Sequence, residues 1–100
     1  MNYIGGNMII GTGKIKLHIN YSHSLKEKRM VVRSIKSRVT NKFNVSIAEV
    51  EDNDIHQIII LGIAVVSNSK SAADSEIQNV FNFIEDNFDV EILDSYLEIL

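Results

Sequence analysis

The chain is 100 residues long, 45% hydrophobic and 23% charged, with no cysteine and no proline. That length fits one globular domain, and the composition excludes a disordered polymer, a disulfide scaffold and any site built on thiolates. The net charge of −3 averages two unlike halves: residues 13–42 carry nine bases and one acid, residues 43–100 twelve acids and one base.

Residues 8–20 read as a strand, because Ile15, Leu17 and Ile19 alternate with Lys14, Lys16 and His18. Ser24 and Glu27 have the spacing of a capping box and open a helix that runs to about Lys42. Leu25, Val32, Ile35, Val39 and Phe43 return to one side of it. Residues 45–51 form a second strand, and Asp52, Asn53 and Asp54 make the turn into a third over residues 55–67. A polar loop over residues 67–71 leads to a second helix over residues 72–87, burying Ile77, Val80, Phe81, Ile84 and Phe88. Ser71 is its expected cap, with Asp74 and Glu76 near the positive end of the dipole. Residues 90–100 make a last strand with Leu93, Leu97 and Ile99 on one face.

The order β-α-β-β-α-β predicts an α+β, ferredoxin-like fold: a four-stranded antiparallel sheet with two helices on one face. Residues 8–100 form the single domain, and residues 1–7 an N-terminal extension. The third strand does not alternate. Ile58, Ile59, Ile60, Leu61, Ile63, Ala64, Val65 and Val66 put apolar side chains on both of its faces. A homo-oligomer packed through the open sheet face is therefore expected. That apolar run also contains Gly62 and is far short of the ~20 residues of a membrane span, so no membrane partner is expected.

The strongest functional feature is a basic stripe. Lys26, Arg29, Arg33 and Lys36 are spaced three, four and three apart and share one face of the first helix. Lys28 and Arg38 widen the positive zone, and Lys14 and Lys16 form a secondary basic surface with His18 on the first strand. Arginine grips phosphate bidentately, so such a face suits the backbone of structured RNA. The two central strands carry no aromatic on which a base could stack, which directs RNA to the helix and not to the sheet.

Other constellations point to no chemistry. His18, His23 and His56 lack metal-ligand spacing, although His18 and His56 fall on adjacent central strands with Glu49 nearby. His23 and Ser24 have no third member for a triad. Asp52, Asn53 and Asp54 lack the rest of a calcium loop, and Gly11, Thr12, Gly13 and Lys14 lack phosphate-loop spacing. No catalytic residue, metal or cofactor is expected.

Three segments carry a family resemblance. His23, Ser24, Leu25, Lys26, Glu27, Lys28 and Arg29, followed by Val31, Val32, Arg33, Ser34, Ile35 and Lys36, resemble a segment of the YlxP-like family of small bacterial proteins of unknown function. Residues 41–49 and 61–68 are similar to its other recurrent segments, in the same order. The resemblance implies a ferredoxin-like fold. It also implies a link to translation, because genes of the family sit beside those for an initiation factor and a ribosome-binding factor. It brings no catalytic residue. The family pattern begins near Met8, and the preceding Gly5 and Gly6 codons can spell a ribosome-binding sequence, so Met8 is the expected native start. Acylphosphatases share the fold, but they hold phosphate with an arginine after the first strand. Tyr21, Ser22, His23 and Ser24 follow here, none of them an arginine.

The expectation is therefore a non-enzymatic, cytoplasmic binding protein that docks on ribosomes or structured RNA through Lys26, Arg29, Arg33 and Lys36. The alternative is an oligomeric regulatory module that takes a protein or a small ligand and has no nucleic-acid role.

Overall fold

A computed structural model describes residues 8–51 and 54–100 of the protein. The extension expected over residues 1–7, and Asp52 and Asn53 of the expected turn, lie outside the described residues. Strand β1 (Ile9–Ile19) follows the alternation in its sequence: Ile15, Leu17 and Ile19 are fully buried, while Lys14 and Lys16 stay exposed on the opposite face.

Helix α1 (Leu25–Lys42) begins where Ser24 Oγ accepts a hydrogen bond from the Glu27 amide at 3.1 Å. Glu27 reaches back one residue further than a standard capping box. Its Oε2 accepts from the His23 amide at 2.8 Å, tying the turn itself to the helix. Strand β2 (Ser46–Glu51) returns along α1, followed by β3 (Ile58–Ser67), helix α2 (Lys70–Asn87) and β4 (Val90–Ile99). All neighbours in the sheet are antiparallel, in the order β2-β3-β1-β4. The expected ferredoxin-like arrangement is the one observed, with both helices on one face.

The core lies between that face and the helices. Ile59, Leu61, Ile63 and Val65 of β3 meet Val32, Ile35 and Val39 of α1 and Ile77, Val80 and Ile84 of α2 within one cluster. Gly11 and Gly13 let α2 approach β1 closely. A Cβ on Gly13 would stand 2.7 Å from Ile77 Cγ2 and 2.8 Å from Phe81 Cζ. The glycines of the Gly11–Lys14 segment thus serve packing.

Four local expectations need correction. Residues 55–57 are a turn, closed by the Ile58 amide on Ile55 O at 3.1 Å, so β3 starts three residues later. Helix α2 starts at Lys70 under a Ser69 cap that accepts from the Ala72 amide at 3.1 Å; Ser71 is already helical and the first turn holds no acid. Val31 is buried in α1 although it was not expected there, and Leu25 is only half-buried. In β4, Leu17 pairs with Ile92 and Lys16 with Asp94, so Leu93 is the extra residue of a bulge and is exposed. Leu97 and Ile99 keep the helix-facing side.

Candidate functional site

Helix α1 packs over the sheet with β2 on one flank and α2 on the other. Its buried side is formed by Val31, Val32, Ile35 and Val39. Lys26, Arg29, Arg33 and Lys36 are all exposed on the flank toward β2. Because β2 is an edge strand, nothing in the sheet lies beyond it, and a groove of about 500 Å³ opens between α1 and β2. Arg29, Arg33 and Lys36 line it, Val32 and Ile47 form its apolar floor, and Ser37, Thr40 and Glu49 complete its wall. Lys26 lies on the first turn and is not part of the lining. Among the described residues no ion pair engages Lys26, Arg29, Arg33 or Lys36. Three cations with uncommitted donors thus converge on one concave surface.

Lys28 departs from its expected role. It is only 2% exposed and belongs to the interior, where its Nζ stands 3.6 Å from Glu49 Oε2. A lysine is buried when an anion is available to it, and Glu49, on the helix-facing side of β2, is that anion. Oε2 of Glu49 is buried and accepts no hydrogen bond among the described residues, so its compensation is the charge of Lys28. Lys28 therefore adds nothing to an accessible basic surface. It cancels the one acid that lines the groove.

Arg38 is also committed, to the far flank. Its guanidinium donates to Asn87 O at 3.3 Å and to Asn87 Oδ1 at 3.4 Å, and lies 4.8 Å from the Phe88 ring centroid. It closes the carboxyl end of α2 and ties that helix to α1. Lys42 stacks nearby, 5.2 Å from the Phe83 ring.

The basic row on β1 is interleaved with acids. Lys14 is paired with Glu51 at 3.1 Å, Lys16 stands opposite Asp94, and His18 stands opposite Glu91. The open sheet face is a mosaic of both signs and not a second positive surface. Its β3 half is apolar, with Ile58, Ile60, Ala64 and Val66 pointing away from the helices. Val50, 51% exposed, covers Gly62 from the neighbouring bulge. Tyr96 of β4 joins this face opposite Lys14 and donates to Glu98 Oε2 at 3.1 Å. This edge aromatic was not singled out from the sequence.

The histidines do not converge. His56 sits in the β2–β3 connection with Nδ1 3.1 Å from Ser22 O, and His18 contacts Asn20 Oδ1 at 3.0 Å at the end of β1. Glu49 is on the opposite face of the sheet from His18. Among the described residues no group of three or more His, Cys, Asp or Glu is placed to hold a metal. No helix among them is long and apolar enough to cross a membrane.

Comparison with known proteins returns the same uncharacterised group from two directions. The model of a family described as "Protein of unknown function (DUF503)" matches residues 10–97. The chain is 42% identical over 83 residues to the "Uncharacterized protein YlxP" of Bacillus subtilis (strain 168), covering 83% of this chain and 90% of that protein. Among solved structures, the de novo designed protein Ferredog-Diesel is similar with a TM-score of 0.48 and 15% identity, over 98% of this chain and 90% of that one.

Proposed function

The chain belongs to the DUF503 family, and within that family of unknown function we propose that this protein is a non-enzymatic cytoplasmic module that docks on phosphate-rich RNA of the ribosome. The observation that carries this reading is the convergence of Arg29, Arg33 and Lys36 on the α1–β2 groove with no acid paired to them among the described residues. An arginine whose donors are not committed to a protein carboxylate can present them in parallel to phosphate oxygens. Lys26 extends the same exposed flank toward the start of the helix.

Neutralising Z phosphates of a single strand releases counterions with a slope of roughly −0.7Z in log affinity against log salt; three contacts give about −2. Co-sedimentation with ribosomal subunits across a salt series tests the reading. Association is expected at low salt, falling with that slope, and lost in the Arg29→Glu/Arg33→Glu variant. Both proteins remaining free of ribosomes at every salt would overturn it.

A second reading is favoured by the open sheet face. Val50 and Val66 are 51% and 67% exposed there beside Ile58 and Ile60, and both edge strands carry bulges that disfavour edge pairing. We propose homo-oligomerisation through this face as compatible with docking, because the groove lies on the other side of the sheet. Analytical ultracentrifugation of the wild type and of Ile60→Lys/Val66→Lys decides it. A dimer that the double variant converts to monomer supports the interface, and a monomer at all concentrations rejects it.

A further inference from the structure

The shape of the groove narrows what its cations can hold, an inference that rests on reading it as a phosphate site. A duplex backbone is convex and wide, and calls for cations on a flat or protruding surface. Arg29, Arg33 and Lys36 instead line a hollow of about 500 Å³, within the size range of small-molecule sites, whose floor is the apolar pair Val32 and Ile47. A hollow with cations on its rim and aliphatic groups at its base is complementary to one nucleotide, charged at the phosphate and apolar on the base faces.

The two ends of the groove differ. Glu49 is fixed beside the early turns of α1 by Lys28, whereas Ser37 lies about two and a half turns beyond Lys28. Thr40, at that far end, turns its hydroxyl back to donate to Lys36 O at 2.9 Å. With Glu49 neutralised by Lys28, the net positive charge of the groove lies on Arg29, Arg33 and Lys36, and Arg33 and Lys36, about one helical turn apart, can hold one phosphate between them. We propose that the α1–β2 groove takes a single unpaired nucleotide of an RNA strand, with its phosphate on Arg33 and Lys36 and its base over Val32 and Ile47.

Fluorescence anisotropy with labelled oligouridylate and with a blunt RNA duplex of equal phosphate number tests this. Ser37→Leu, which narrows the groove without removing a cation or adding a stacking ring, is titrated beside the wild type. Burial of a base face on Val32 and Ile47 should make the wild type prefer the single strand by about fivefold. Ser37→Leu should cost about fivefold on the single strand and less than about twofold on the duplex. Thr40→Leu repeats the blockade from the next turn should Ser37→Leu fail to fold, and the wild-type preference is read without any variant. Equal affinity for the two RNAs, or blocked variants that still bind the single strand as the wild type does, overturns the nucleotide inference and leaves phosphate docking standing. A wild type that binds neither RNA overturns both.

Discussion

Lys28 and Glu49 show how one residue's environment decides its role. A side chain written as part of a positive stripe is withdrawn into the core because a carboxylate lies 3.6 Å away on β2. Breaking a buried pair leaves one charge uncompensated. Lys28→Ala is therefore expected to lower unfolding stability by about 2 kcal/mol in the wild type and by less in a Glu49→Leu background. Urea denaturation of the four proteins measures both, and the same loss in either background would contradict the pairing. At Tyr96 the effect is electrostatic. Glu98 accepts its hydrogen bond and adds a like charge to the phenolate, holding the phenol above its ordinary 10.0. The folded form thus binds this proton more tightly. Any resulting contribution to stability is complete below about pH 10 and is lost as pH rises through the folded value. Glu98→Gln should bring the Tyr96 phenolate transition down in pH, read by absorbance against a Tyr96→Phe blank; an unmoved transition would reject the contact.

Elements were legible where a periodicity spoke for them. The alternation of Ile15, Leu17 and Ile19 and the Ser24–Glu27 box marked β1 and the start of α1, and both stand in the structure. The start of α2 was not legible, because Ser67, Ser69 and Ser71 are all competent caps, and Lys70 in the first turn opposes the dipole. Leu93 was misassigned for a different reason. One bulge residue shifts the period of two by one, and only pairing with β1 reveals the bulge. Packing of α2 on β1 makes a further prediction. With Ile77 and Phe81 at 2.7 and 2.8 Å from its added Cβ, Gly13→Ala should destabilise by about 2 kcal/mol, a fall of about 10 °C in Tm. Calorimetry reads it, and an unchanged Tm would mean that α2 does not sit so close.

Across the whole molecule the charge asymmetry of the chain becomes a spatial one, though not the one that counting bases suggests. Of the nine bases in residues 13–42, Lys28 is buried, Arg38 and Lys42 lie over aromatic rings beside α2, and Lys14 is paired. What remains concentrated is the α1 flank toward β2. The stripe was legible because helical spacing alone brings Arg29, Arg33 and Lys36 together. The groove was not, because it exists only once an edge strand is laid beside that helix, and Ile47 and Glu49 arrive from β2. The same folding separates the groove from the open sheet face, so binding at one can be told from binding at the other residue by residue. The most direct test is a two-dimensional amide NMR titration of the protein with a short single-stranded RNA at low salt. Perturbations are expected at Arg29, Arg33, Lys36, Ser37, Ile47 and Glu49, weakening as salt rises. Perturbations confined to β1 and β3 residues of the open face, or none at all, would contradict the assignment of the α1–β2 groove as the site of RNA contact.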